Sequence, residues 1–148
     1  MKKIKLLAVM FLASLFIGAN ANAQTIGVLN YKNVLMNYSY AKETIRTIDN
    51  KETELQQFML DKEKQYKNLS SPVERKSFEE KVQREYKSKV DALSKMRMQK
   101  EEEIYNNIMT VAKRVATQKK IDVVIDSSVI LTGGIDITND VISGLNNK

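Results

Sequence analysis

Between Gly27 and Gly133 the chain contains no glycine, and Pro72 is its only proline. Glycine and proline are the strongest local breakers of regular structure, so an interval of about a hundred residues with one break is helix, turn, helix. The turn at residues 70–72, Ser70-Ser71-Pro72, carries its own start signal. Ser71 suits the N-cap, Pro72 the first helical position, and Glu74 follows three residues after Ser71. This is a capping box with proline at N1. The Ser71 oxygen would accept from the Glu74 backbone N–H, and the Glu74 carboxylate would accept from the Ser71 N–H.

The hairpin arm occupies residues 41–119. Its first helix, from about Ala41 to Leu69, has a seam of Ile45, Ile48, Glu52, Leu55, Met59, Lys62, Tyr66 and Leu69. Alternating steps of three and four make a heptad row, so the helix is paired. The second helix, from about Pro72 to Lys119, has one apolar stripe at Phe78, Val82, Tyr86, Val90 and Leu93. A second stripe holds Ile104, Ile108, Val111 and Val115, with the polar run Arg97 to Glu103 between. At 1.5 Å per residue the two helices extend roughly 45 and 70 Å. A hairpin so long and thin is an arm on a body. The polar breaks at Glu52, Lys62 and Arg97 to Glu103 predict weak pairing there, and arms that bend.

The chain has 148 residues, a single-domain length. Residues 1–23 read as a cleaved signal peptide. Lys2, Lys3 and Lys5 precede the apolar run Leu6 to Ile17, and Ala21-Asn22-Ala23 fits a small-x-small cleavage site after Ala23. The run is shorter than the roughly 20 residues a membrane helix needs. The mature protein is therefore exported, to the periplasm or outside. It has no cysteine and no histidine, hence no disulfide, no thiol nucleophile and no imidazole base. With residues 1–23 removed, 21 basic residues stand against 18 acidic ones, a net of +3. Residues 62–97 hold 11 basic and 6 acidic residues, net +5, and the rest of the mature chain nets −2. The distal arm is basic; Lys81, Arg84 and Lys87 are the candidates for electrostatic capture of acidic partners.

Strand patterns lie at both ends of the mature chain. Thr25 to Asn30 (TIGVLN) and Ile121 to Asp126 (IDVVID) are β-branched runs, and Val129 to Thr132 is a third candidate ended by Gly133-Gly134. Tyr31 to Tyr40 suits a short helix that Asn37 or Ser39 breaks. Thr138 is a plausible N-cap for a terminal helix that Gly144 ends. Three short strands are marginal alone, and Ile26, Val28, Val123, Ile125, Val129 and Leu131 need cover. Other copies of the chain supply it and remove the sheet edges. The fold class is thus α+β. A long antiparallel helical hairpin, a coiled-coil-like arm, projects from a small β-rich oligomerisation body formed by residues 24–40 and 120–148.

These features converge on a resemblance. A signal peptide, an IGVLN strand, a charged hairpin, VAKRVATQKKIDVVIDSSVIL (Val111 to Leu131) and GGIDITNDVISGL (Gly133 to Leu145) together resemble the Skp (OmpH-like) family of periplasmic chaperones. The C-terminal block is the most specific part. The resemblance implies a homotrimer with helical tentacles around a cavity. In that cavity unfolded outer-membrane β-barrel proteins are held without ATP. Some members also associate with anionic lipid or lipopolysaccharide.

The residues suit holding. Methionine is flexible and polarisable and fits promiscuous surfaces. Phe58, Met59, Tyr66, Met96 and Met98 are the candidate client contacts. Met59, Phe78 and Tyr86 fall on the stripes and favour arm packing, whereas Phe58 and Met98 stand off the seam and favour a cavity. The rivals are weaker. An enzyme would have to use carboxylates such as Asp122 and Asp126, with no pocket-forming pattern, so no catalytic residue is assigned. Strand-edge and helix-cap acids explain those carboxylates, and Asp136 with Asp140, better than catalysis or a metal. No cofactor is expected, and export disfavours nucleic acid. A structural adaptor of the cell envelope is the stronger alternative, although the tip, Asn68 to Arg75, is polar apart from Leu69 and Val73.

Overall fold

The computed structural model describes residues 24–147. The expected signal peptide, with its expected cleavage site after Ala23, lies outside the described residues. Strand β1 (Ile26–Leu29) leads into helix α1 (Tyr31–Asn37), and the hairpin helices are α2 (Ser39–Lys67) and α3 (Pro72–Gln118). Strand β2 (Val123–Asp126), a 3-10 turn (Ser127–Val129), strand β3 (Ile135–Asp136) and helix α4 (Thr138–Asn146) follow.

The sheet has the order β2-β1-β3, and both pairings are parallel. Ile26 pairs with Val123 and Val28 with Ile125. Parallel strands need a crossover, and here the crossover is the whole hairpin. The Asp122 N–H donates to the Thr25 carbonyl (2.9 Å), and the Thr25 N–H donates to the Asp122 carboxylate (2.8 Å). The chain end of β1 is thereby fixed beside the point where α3 returns.

Several helix ends have a local cause. The Asn30 side chain accepts from the Asn33 N–H (2.8 Å) and caps α1. Ser71 and Pro72 start α3 as the sequence predicts, but the capping box does not close, because Ser71 makes no side-chain cap bond. Arg75 closes the turn instead, donating from Nε to the Leu69 carbonyl (2.8 Å). At its other end α3 stops on Lys120, whose φ is 54°, and the Ile121 N–H donates back to the Ala116 carbonyl (2.9 Å). Such a left-handed terminus usually belongs to glycine.

Three expectations for the C-terminal segment are corrected. Val129 to Thr132 forms no strand. The Ser128 N–H donates to the Asp126 carboxylate (2.8 Å), which turns the chain out of β2. The third strand is Ile135–Asp136, reached through Gly133 and Gly134 at φ of 89° and 88°. Nor is Thr138 the N-cap: it is the first residue of α4. Its N–H donates to the Asp136 carboxylate (2.8 Å), while its hydroxyl accepts from the Asn30 N–H (3.0 Å). Gly144 lies inside α4 and does not end it. A Cβ there would meet Val111 Cγ1 at 2.8 Å, so the missing side chain lets α4 approach α3 closely.

The core sits at the root of the hairpin. Val34, Tyr38 and Ala41 meet Ile108, Val111 and Val115 of α3, with Leu29, Ile137, Val141 and Leu145 closing the cluster. The second apolar stripe of α3 therefore belongs to the body, and only the distal part of the hairpin is arm.

Gly134 combines two constraints: its positive φ, and a Cβ that would fall 2.4 Å from Val28 Cγ2. At Gly133 a Cβ meets nothing within 4 Å. Gly133→Ala should cost about 1–2 kcal/mol from backbone strain alone. Gly134→Ala should cost about 1–3 kcal/mol more through the forced shift of β1. Urea unfolding of the two variants checks the order.

Candidate functional site

Two surfaces stand out, one along the hairpin and one on the sheet. In the hairpin, α2 turns a row of Ala41, Thr44, Ile48, Glu52, Leu55, Phe58, Lys62 and Tyr66 toward α3. This differs from the predicted heptad row at two places: Thr44 replaces Ile45, and Phe58 replaces Met59. The observed row keeps heptad spacing at Ala41, Ile48, Leu55 and Lys62, and at Thr44 and Phe58 the place between them falls one residue earlier than predicted. Ile45 is consequently 53% exposed and Met59 40% exposed.

The placement of the candidate contacts follows. Phe58, expected off the seam, lies in it, with the Lys62 and Lys89 ammonium groups 5.2 and 5.1 Å from its ring centre. Met96 is half-buried between the helices, beside Leu55 on one side and Ile48 on the other. Met98 is 67% exposed on α3, away from the seam. Tyr66 is half-buried, and its ring meets that of Phe78 at a tilted 6.4 Å. A hydrogen bond to Glu79 raises the Tyr66 hydroxyl pKa above its ordinary value.

Met59 and Tyr86 leave the seam and line two adjoining hollows on one flank of the hairpin. The distal hollow, of about 480 Å³, also takes in Tyr66, Phe78 and Val82. The other takes in Leu55 and Leu60. The flank thus presents a shallow apolar track, edged by Lys62, Glu63, Glu79 and Gln83. Leu60 was not singled out from the sequence; an apolar residue beside Met59 but off the seam is the signal that identifies it.

The polar positions in the seam, predicted to be weakly paired, find partners across it. Glu52 is bridged to Arg97. Lys62 is 3.5 Å from Glu85, with its side chain only 22% exposed. Lys100 donates to the Tyr40 hydroxyl (2.6 Å) and to Glu103 (2.9 Å). The Tyr40 hydroxyl and then Glu103 hold the Lys100 pKa well above the usual lysine range, and Lys100 holds Glu103 low. Half-exposed ion pairs contribute only about 0–1 kcal/mol each, so these contacts fix register more than they add stability.

Lys81, Arg84 and Lys87 lie exposed on α3, turned away from the seam. Among the described residues none of the three has an ion-pair partner within the chain.

On the sheet, Gly27 and Leu29 face the core, and Val124 packs against it. Strand alternation and register put Ile26, Val28, Val123 and Ile125 together on the other face. Ile26 and Val123 are exposed there, and Val28 and Ile125 half-buried. Val129 and Leu131 stand in the exposed connection after β2, and Leu131 is fully exposed. The carboxylates considered for catalysis have other partners. Asp122 accepts from Thr25, and Asp126 and Asp136 are held below the usual carboxylate range by hydrogen bonds from Ser128 and Thr138.

Beside the root core, the arm is tied to the body by a residue that sequence reasoning missed. Asn146 accepts from the Ser39 N–H (2.9 Å) and donates to the Asn37 carbonyl (2.9 Å). It bridges the break at Tyr38 and caps α2 from the far end of the chain, where no local pattern announces it. Asn146→Ala should cost about 1 kcal/mol. It should also speed amide exchange at Ser39 to Lys42 more than in α4, measurable by hydrogen exchange.

Comparison with known proteins agrees with this arrangement. The family model described as outer membrane protein (OmpH-like) matches residues 25–145, most of the chain. No curated protein matches it closely enough to count as a relative.

Proposed function

The chain belongs to the OmpH-like family, and on that footing we propose that it is a periplasmic chaperone. It holds unfolded outer-membrane β-barrel proteins without ATP and keeps them from aggregating. The observation that carries this reading is the apolar track of Met59, Leu60, Val82 and Tyr86, left open on a hairpin whose outer face is basic. An unfolded barrel protein exposes apolar side chains in water, and a shallow, methionine-bearing surface suits segments of many sequences. Residues 1–23 act as the export signal and are removed after Ala23.

The open sheet face is where copies join, as a homotrimer. Parallel sheets are normally covered on both faces, yet among the described residues Ile26 and Val123 stay exposed and Val28 and Ile125 are only half-buried. Val129 and Leu131 extend the same joining surface. Three arms set on one body would then enclose a cavity, with their flanks available to the client. The basic faces of the arms steer acidic clients toward the opening, and anionic lipid or lipopolysaccharide is a second partner for them.

Light scattering after size exclusion, on residues 24–148 alone and with a urea-unfolded outer-membrane barrel protein, tests both halves. The expected result is a trimer that forms a soluble complex with one client. A trimer that leaves the client to aggregate would reject the holding role, and a monomer would reject the joining surface. Separately, Lys81→Glu, Arg84→Glu and Lys87→Glu together should slow client association roughly tenfold at low salt. The difference should vanish near 0.5 M salt, where the screening length is only a few ångströms, about 4 Å. Stopped-flow fluorescence reads it, and an unchanged low-salt rate would remove the steering step.

A further inference from the structure

The mature chain has no cysteine, so its methionine thioethers are its only sulfur nucleophiles. Met98, Met36 and Met59 are exposed, while Met96 and Met109 are half-buried. Of the exposed three, only Met59 lines the apolar track, and it lines both hollows, so it stands where they meet. Its neighbours there, Tyr66, Phe78 and Tyr86, are aromatic. The track therefore has an oxidisable atom at its midpoint.

Resting on the holding role, we propose that Met59 makes client holding sensitive to peroxide. The sulfur lone pair attacks one oxygen of hydrogen peroxide; an S–O bond forms, the O–O bond breaks and water leaves. Sulfur loses two electrons and the peroxide gains them. The product is a polar, chiral sulfoxide in place of a flexible apolar side chain. That sets a strong acceptor at the centre of a surface whose use is apolar contact. Met98 and Met36 oxidise as readily by exposure, yet lie off the track, so their sulfoxides leave holding intact. Methionine sulfoxide reductases reverse the reaction, which makes the change a switch.

The test is graded oxidation of the mature protein with hydrogen peroxide. Peptide mass spectrometry locates each added oxygen, and affinity is measured for one urea-unfolded barrel protein. The expected result is sulfoxide at Met98, Met36 and Met59 ahead of Met96 and Met109. Affinity should fall about three- to tenfold in step with Met59 alone, the scale of a lost thioether–aromatic contact. Met59→Leu, which nearly conserves volume, should hold client equally well before and after peroxide, whereas Met98→Leu should stay sensitive. Reductase treatment should restore the wild-type protein.

Full sulfoxide at Met59 with unchanged affinity would overturn the proposal, as would equal sensitivity of Met59→Leu. A loss of helical circular dichroism on oxidation would also overturn it, because the fold and not the surface would then have failed. In each of these cases the untreated protein still holds its client, and the chaperone role stands. Failure of the untreated protein to hold client would reject that role, and the proposal with it.

Discussion

Everything in this molecule depends on the parallel pairing of β1 with β2. The two strands lie far apart in sequence, and the chain between them is a hairpin with little core of its own. Closing such a loop costs entropy that grows slowly with length, but it must be met by contacts at the closing point. The contacts are there. Ile26 to Leu29 pairs with Val123 to Asp126, the Thr25 and Asp122 bonds sit at the open end, and Ile121 covers Gly27. A Cβ on Gly27 would lie 3.0 Å from Ile121, so the absence of a side chain is what allows the close approach. The root of α3 then packs on α1 and α4, and the arm has a base.

The arm follows a different physical rule from the body. At the root the facing residues are buried: Ala41, Ile104, Ile108 and Val111. From Glu52 outward no seam residue of α2 is fully buried, and ionic or aromatic contacts take over. The cationic groups of Lys62 and Lys89 flank the Phe58 ring, Lys62 also lies 5.9 Å from the Phe78 ring, and Arg75 stacks on Tyr66. Within α2, exposed pairs such as Lys51 with Glu54 and Lys67 with Glu63 add weak local support. The distal hairpin is thus held by many small terms and no dry core.

Much of the fold was legible because its signals are local. The glycine-free interval, the Ser71-Pro72 start and the β-branched IDVVID run each state their structure within a few residues. The errors have two origins, a side-chain hydrogen bond just past β2 and contacts with distant parts of the chain. Val129 to Thr132 has strand composition, but Asp126 turns the chain away before it can pair. Thr138 has cap chemistry, but its hydroxyl is engaged by Asn30, more than a hundred residues away. The swap of Phe58 and Met59 is subtler. Beyond Ile48 the predicted and observed rows share Glu52, Leu55, Lys62 and Tyr66 and differ only in which of two neighbours, Phe58 or Met59, fills the place between Leu55 and Lys62. For the candidate surface this decides which aromatic closes the seam and which thioether stays in the solvent. Asn146 left no trace in sequence, since its two partners lie at the other end of the chain.

The gradient from dry root to wet tip has a consequence for motion. Local opening is easiest where few apolar contacts are broken and most backbone bonds already face water. In this hairpin that region is the distal part, beyond the Glu52–Arg97 bridge, and it carries both the apolar track and the basic face. The stiff and the adaptable functions are therefore separated along one pair of helices. The root, buried against α1 and α4 and bracketed by Asn146, fixes where the arm starts. The distal seam, held by half-exposed polar and aromatic contacts, is where opening would break the fewest apolar contacts and leave the sheet undisturbed. A hairpin with a continuous leucine seam would lose that separation: opening its tip would expose core, and its flank would have no reason to stay open.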